Sequence, residues 1–386
     1  MGSFKFGHFV APADMWSEDN CYEWYKKMRY NTPISYDRKR RCWDIFRYKD
    51  AKTVLQNHKV FSSERYKDKV DSLLSMDPPE HKKFRSIANK EFGSQYRVRM
   101  ETLIREITED KIKRIEKGRQ IDFIQEIAHY IPATMMMRLL GVSEQYYQEI
   151  IEMSLGGLTR SNSTNQLKAV LKKVKNSIHH GNRFFERLMK EKQRYPQDDM
   201  TSDLLIRHGQ DISFSKIRDF LYSVLTAGNE TSINLIGNTL YLFSTQPNVW
   251  SRLQTDPSLI PRAIEEVLRF HPSVHNINRI ATEDIEMNGF PIKKGDEVVV
   301  WLASANRDEE IFDHADEFQM DRSPNTHLAF GYGIHTCIGN SLARLEANII
   351  FHTLLERFPK IMIVEKPVHN NNFVFQGFEH IYMDIL

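Results

Sequence analysis

Cysteine is scarce: Cys21, Cys42 and Cys337 are the only three in 386 residues. An odd count of three argues against a disulfide framework, and with no CxxC pair a structural zinc site is not expected either. A reducing, intracellular setting, and so a cytoplasmic location, is the expectation. Long apolar runs are missing as well. The longest, around Val298–Ala303, is far short of the roughly 20 residues that cross a bilayer. The stretch Phe4–Trp16 has no basic region followed by an apolar one, so no secretory signal is read there. Charge of one sign is also lacking, since 53 basic and 51 acidic residues leave a net +2, too little for a global field toward nucleic acid. Glycine (17) and proline (14) are near average usage, which excludes a fibrous or low-complexity chain. Three motifs are absent too: a G-x-G-x-x-G ahead of a helix, a Walker phosphate loop and an H-E-x-x-H zinc helix. The Gly331–Gly333 pair has Thr336 where a dinucleotide fingerprint needs its third glycine.

What remains is a chain that is 41% hydrophobic and 27% charged, able to bury a large core. Residues 1–60 mix helix and strand. A helix is expected over Asp19–Arg29, a hairpin over Pro33–Tyr36 and Cys42–Tyr48, and a helix over Asp50–Asn57. A charged, aperiodic loop follows between Phe61 and Met76. From Glu80 to Gly209 nearly everything has helical spacing, with breaks near Gly118, Gly141, Gly156–Gly157 and Pro196. Ser215–Gln246 reads as one helix of about thirty residues, about 45 Å long, running through the middle of the fold. A helix over Pro261–Phe270 stops at His271-Pro272. Residues 274–302 switch to period two around an Asn288-Gly289 turn and a second turn at Lys294-Gly295. An irregular stretch, 307–336, precedes a last long helix, Asn340–Phe358, burying Leu342, Leu345, Ile349 and Leu354. The expected fold is mainly α with small β-sheets (α+β), a single domain over 1–386: a mixed part to about 60, a helical core at about 80–272, hairpins at 274–302, a cysteine loop at 328–339 and the helix at 340–358.

The most informative stretch is Phe330-Gly331-Tyr332-Gly333-Ile334-His335-Thr336-Cys337-Ile338-Gly339. Glycines ahead of the cysteine permit tight turns that leave backbone N–H groups pointing at sulfur. Gly339 leaves room for something flat to approach the backbone. A helix starting just after the cysteine favours thiolate through its dipole, which suits a metal ligand. Two other readings stand beside this one. Cysteine is often a small buried core residue, and a Cys–His pair can be a nucleophile. Against the second, His335 is two residues away, where neighbouring side chains diverge, and no oxyanion-hole pattern accompanies it.

Here the chain resembles the cytochrome P450 superfamily, whose haem-ligand signature is matched by Phe330-x-x-Gly333-x-His335-x-Cys337-x-Gly339. The resemblance implies a triangular, helix-rich fold with a long central helix, and haem b (iron protoporphyrin IX) held axially by Cys337. It places Phe330 and Gly339 against the cofactor. Glu266-x-x-Arg269 with Arg322 matches a structural triad that supports the haem loop. Leu225-Thr226-Ala227-Gly228-Asn229-Glu230-Thr231 matches the dioxygen-side turn of the central helix. Ala227 and Gly228 border the cofactor there, and Glu230 and Thr231 form the acid–alcohol pair that supplies protons for O–O cleavage. His81 and Arg85 at i, i+4, Arg279 and His335 match the groups that hold the haem propionates.

The resemblance further implies a haem-thiolate monooxygenase that hydroxylates or epoxidises a hydrophobic small molecule of fatty acid, terpenoid, steroid or polyketide type. Electrons then come from NAD(P)H through a separate ferredoxin or flavodoxin with its reductase, since a chain of this length leaves no room for a fused one. No nucleic acid or membrane partner and a monomeric state are expected. Lys82, Lys83, Lys90, Arg97 and Arg344 are candidates for a basic docking face; a solvated helix face is the plain alternative. Residues 62–75, 150–180, Leu225–Thr231, 274–278 and Phe373–Phe375 are expected to line the distal pocket, with His275 and Asn276 either bonding substrate or turned to solvent. Three other functions stay in view. A peroxide-driven peroxygenase would commonly carry an arginine–proline pair in place of Glu230-Thr231. A non-catalytic haem-binding protein belongs to a different class, and a haem-free cysteine hydrolase would show no haem absorption at all.

Overall fold

The computed structural model describes residues 7–15, 21–64, 72–157, 160 and 166–386. Helices dominate: α1 Cys21–Asn31, α2 Tyr48–Gln56, α3 Glu80–Glu91, α4 Ser94–Lys113, α5 Tyr130–Leu140, α6 Tyr147–Gly157 and α7 Leu167–Arg194. They continue as α8 Met200–His208, α9 Phe214–Thr245, α10 Val249–Thr255, α11 Ile260–Phe270, α12 Leu302–Ala305 and α13 Asn340–Arg357. Small sheets flank them, so the fold is mainly α, as the periodicity requires.

The long central helix exists as read. The Ser213 side chain caps it by accepting from the Lys216 N–H, and Gln246, held extended ahead of Pro247, ends it. Its 32 residues span about 48 Å. Helices α5, α6, α7, α11 and α13 all pack on α9, so it is buried on nearly every side. Burial on all sides obliges its polar residues to find partners inside. Thr226 and Thr239 bond back to the carbonyls of Tyr222 (3.0 Å) and Leu235 (2.7 Å). The Asn238 amide donates to the carbonyls of His271 (3.0 Å) and Gln376 (3.3 Å).

Strands β1 Ile34–Asp37, β2 Cys42–Ile45, β3 Phe61–Ser62, β5 Asn276–Ala281 and β8 Glu297–Trp301, numbered with β4 Gln120–Asp122 between them, form a five-stranded sheet in the order β1-β2-β8-β5-β3. The hairpin of β6 Ile285–Met287 and β7 Phe290–Ile292 turns at Asn288-Gly289 with φ of 51° and 83°. Those left-handed values are what an Asn-Gly hairpin turn requires. At the C-terminus, β9 Ile361–Ile363, β10 Val368–His369, β11 Phe378–His380 and β12 Tyr382–Ile385 follow α13, and β12 pairs with both β4 and β9.

The strands β4 and β9–β12 are not legible as periodicity. They run two to four residues, too short to show a period of two; β4 and β12 exist because Met383 and Asp384 meet Ile121 and Gln120 from far along the chain, β9 pairs on the other side of β12, and β10 pairs only with β11. A further break separates α3 from α4 at Gly93, which is extended with φ −74° and ψ −176°. On α13, Ile349 and Leu354 are buried as expected, while Leu342 and Leu345 are half-buried. The breaks at Gly118 and Gly141 are real, both at positive φ. At Gly141, which ends α5, an added Cβ would lie 2.3 Å from the Asp199 carboxylate. That carboxylate caps α8 through the Ser202 N–H (2.8 Å) and pairs with buried Lys192 (2.8 Å). Of the loop between Phe61 and Met76, residues 65–71 lie outside the described residues; its flank is fixed by Asp77, which accepts from the Ser62 hydroxyl (2.5 Å) and the Ser63 N–H (3.1 Å).

Candidate active site

The cysteine loop is shaped by its own backbone. Gly331 and Gly333 sit at φ of 71° and 76°. The Gly331 N–H closes on the Leu328 carbonyl (2.8 Å), and the Cys337 N–H on the Phe330 carbonyl (2.9 Å). A Cβ on Gly333 would stand 2.7 Å from the Leu55 carbonyl, so glycine is needed there both for its φ and for the approach to α2. Helix α13 begins at Asn340, directly after Gly339. The loop thus has the form the sequence implies.

Cys337 borders open space and is not packed in, yet protein encloses it on the larger scale. That enclosure raises its thiol pKa, against the Gly339 N–H and the positive charges of Arg85 and Arg344, which lower it. Desolvation outweighs these three thiolate-favouring contributions. His81 and His335 come together with ring centroids 4.3 Å apart. His81 is buried, and its Nε2 has no hydrogen-bond partner among the described residues. Burial and the adjacent Arg85 charge hold His81 below its usual pKa. Arg279 is buried on β5 and donates to the Asn278 carbonyl (2.8 Å).

On α9, the Thr231 hydroxyl donates to the Ala227 carbonyl (2.6 Å), and the Thr231 carbonyl accepts from Ser273 (2.9 Å). Gly228 faces Met136, whose sulfur would be 3.0 Å from an added Cβ, so this turn also serves helix packing. Glu230 is buried, with its Oε2 unpartnered among the described residues. Desolvation pushes its carboxyl up to about 8, opposed by the positive charges of Arg160 and Lys173. Neither cation is visible from the sequence as a neighbour of Glu230, because the approach of α9 to the α6–α7 region is a tertiary fact.

The triad assembles as expected. Glu266 pairs with Arg269 (2.7 Å) and Arg322 (3.1 Å), and also accepts from the Gln319 N–H (2.9 Å) and Asn325 (3.1 Å). Arg269 donates onward to the carbonyls of Asn306, Ala315 and Glu317 at 2.8–3.0 Å. All these groups are backbone or scaffold, and none reaches the cysteine.

Two sequence expectations need correction. Arg344 is not a free cation of a docking face: it forks onto Glu265 (2.5 and 2.9 Å), which also meets His327 (3.1 Å). Lys82, Lys83 and Lys90 are exposed, with Lys83 reaching the Asp211 carbonyl (3.2 Å); the Arg97 side chain lies outside the described residues. His275 is neither turned to solvent nor open to a ligand. It is fully buried, 2.9 Å from the Tyr25 hydroxyl and 3.4 Å from that of Tyr22, and desolvation keeps it neutral, well below its usual pKa. Asn276 is buried too, bonded to His8 (3.2 Å) and the Phe373 carbonyl (3.4 Å). One buried group went unnoticed in the sequence, Glu346 on α13. Its signal was there, an acid breaking into the apolar stripe of Leu342, Leu345 and Ile349.

The donor set fits haem. A thiol sits in an N–H-lined loop, Gly339 has open space where a Cβ would be, and a buried imidazole N and two arginines suit a group with two carboxylates.

Comparison with known proteins gives the same picture. The cytochrome P450 family profile matches residues 14–376. Cytochrome P450 109 of Bacillus spizizenii is 35% identical over 375 residues, covering 95% of this chain and 91% of its own. The crystal structure of the versatile cytochrome P450 enzyme CYP109B1 from Bacillus subtilis superposes with a TM-score of 0.85 at 35% identity, covering 94% of this chain and 98% of that one. CYP109E1 from Bacillus megaterium, solved in complex with testosterone, superposes at 0.91 with 31% identity, covering 95% and 98%.

Proposed function

Because the chain belongs to the cytochrome P450 superfamily of haem-thiolate monooxygenases, we propose that Cys337 supplies the axial thiolate to haem b and that Glu230 and Thr231 handle the protons of the reaction. The observation that carries this is the cysteine loop, with sulfur on open space, Gly339 N–H beside it and two left-handed glycines shaping the turn. When bound, haem supplies the activation of dioxygen and the transfer of one oxygen atom to substrate. His81, Arg85, Arg279 and His335 hold its propionates, Phe330 and Gly339 flank it on the cysteine side, and Ala227 and Gly228 border it on the other.

Glu230 suits the donor role. With its carboxyl up at about 8, it carries a proton at neutral pH and can release it when a neighbour demands one. Thr231, whose own hydroxyl hydrogen goes to the Ala227 carbonyl, is left as an acceptor toward the pocket. The presence of this acid–alcohol pair speaks for an oxygen- and electron-dependent monooxygenase over a peroxygenase. Two electrons come from NAD(P)H through a ferredoxin or flavodoxin and its reductase, docking near exposed Lys82, Lys83 and Lys90. The substrate is a hydrophobic small molecule. Since CYP109E1 was solved with testosterone, steroids are the first class to screen. The protein is read as a cytoplasmic, monomeric single domain.

The test is the absorption spectrum of the dithionite-reduced holoprotein under carbon monoxide. A strongly red-shifted Soret band is expected, lost in Cys337→Ser. An unshifted wild-type band, or a Cys337→Ser protein with unchanged pigment and turnover, overturns the reading.

A further inference from the structure

Helix α7 carries nine lysines and arginines against two glutamates. That surplus of seven exceeds the net +2 of the entire chain, so the rest of the molecule is net negative. The overall charge, which gives no reason to expect a membrane partner, conceals this local concentration. The charges are also sorted by face. Val170, Phe184, Phe185, Leu188 and Met189 are buried, and α7 packs on α6, α8 and α9. On the outside, Lys168, Lys172, Lys175, Arg183, Arg187, Lys190 and Arg194 are exposed, with His179 in the one wider gap. Steps of three and four residues put them in one row along the helix, about 39 Å from Lys168 to Arg194.

Little in the protein neutralises this row. Lys190 pairs with Glu186 (2.8 Å), and Arg187 lies 3.9 Å from Glu149. Lys168, Lys172, Lys175, Arg183 and Arg194 make no ion pair among the described residues. Nor does helix stability account for them. Cations in the last turn complement the helix dipole, but Lys168 and Lys172 stand in the first two turns, where the dipole opposes them. Like charges at i, i+3 and i, i+4 repel as well. At the other end of the row, two large side chains are left in water. Tyr195, which follows α7 directly, is 72% exposed, and Val98 is 70% exposed; its neighbour Arg99 bonds Asp198 in the α7–α8 connection.

We propose that the outer face of α7 docks on an anionic phospholipid surface, holding the protein there peripherally by charge, with Tyr195 at headgroup level at one end. A flat layer of phosphates meets a straight row of this length all at once. A protein interface is instead built around an apolar centre, and no large apolar side chain is exposed between Lys168 and Arg194. The apolar face of α7 is committed to the core, so the helix does not insert as a free amphipathic helix does. The attraction is electrostatic, about fivefold in the binding constant for each cation near the surface. Aromatic side chains such as Tyr195 favour the boundary between lipid and water. The contact involves no cofactor and stands apart from the haem-thiolate reading.

The test is co-sedimentation of the full chain with vesicles of phosphatidylcholine, alone or mixed in equal parts with phosphatidylglycerol. Binding is expected to the mixed vesicles only, at an ionic strength of about 0.1 M, and is expected to vanish at about 1 M, where screening is nearly complete. Lys172→Glu with Lys175→Glu is expected to weaken it at least about tenfold, since each reversal removes an attraction and adds a repulsion. Lys117→Glu with Lys360→Glu, exposed positions outside α7, changes the net charge equally and is expected to weaken it by about twofold or less. No binding to the mixed vesicles, equal binding to phosphatidylcholine alone, or equal weakening by the two pairs would each overturn the proposal. Duplex DNA that binds the natural chain more tightly than the vesicles do, with the α7 pair abolishing it, would assign the face to nucleic acid and overturn it as well. The lipid and salt comparisons use the natural chain and decide the matter even where a variant does not accumulate.

Discussion

Replacing Glu346 with glutamine should make the protein more stable at alkaline pH than the natural chain, while changing little at acid pH. Glu346 lies on α13 at 1% exposure, with neither carboxylate oxygen in a formed hydrogen bond among the described residues. Desolvation pushes its carboxyl from 4.5 up to about 7, eased only by the Ser232 hydroxyl on α9. In the unfolded chain the carboxyl ionises above its ordinary value, while in the folded one it must stay protonated or ionise at a cost. Stability is therefore lost progressively as pH rises from about 4.5 to about 7, and the loss is complete beyond. A difference of roughly 2.5 pKa units is about 3 kcal/mol, of which about 2–3 kcal/mol should develop between pH 5 and pH 8. Glutamine has nearly the same volume, so no cavity term intrudes. The assay is urea denaturation of both proteins at the two pH values, followed by tryptophan fluorescence, comparing the shift of the variant's midpoint relative to wild type. The double difference cancels every other titrating group. Midpoint differences that are equal at pH 5 and pH 8 would refute the reasoning.

Three further outcomes follow from the buried triad and the turn of α9. Glu266→Ala leaves Arg269 and Arg322 buried without their shared counter-charge and should cost about 3–5 kcal/mol in denaturant stability; a loss under about 1 kcal/mol would mean the carbonyl partners of Arg269 suffice. Thr231→Ala should leave NAD(P)H consumption running while product falls and peroxide appears, and wild-type coupling should itself decline as pH rises through about 8, where Glu230 loses its proton. Full coupling in the alanine variant would point to another proton route.

Some of this molecule is written locally. The central helix is legible because its cap at Ser213 and stop at Pro247 are neighbours of the residues they govern. The Asn288-Gly289 turn and the left-handed glycines of the cysteine loop are legible for the same reason, since a positive φ is a demand on one residue. The Glu266–Arg269 pair could be read from i, i+3 spacing, although its complete burial could not. The short strands β4 and β9–β12 left no local trace, and His275 looked like a loop residue until Tyr22 and Tyr25 of α1 closed over it.

The sequence by itself determined the helical frame, the cysteine loop and the residue types available to a prosthetic group, because each depends on backbone conformation over a few consecutive residues. Only the tertiary structure decided which charges meet. Arg344 is spent on Glu265, Glu230 faces Arg160 and Lys173, Glu346 is sealed against α9, and His8 reaches from the N-terminus to β5. The physical reason is that a charge's pKa and a polar group's partner are set by what lies close in space, and chain separations that reach 79 residues for Arg344 with Glu265 and 268 for His8 with Asn276 carry no local signal of that proximity.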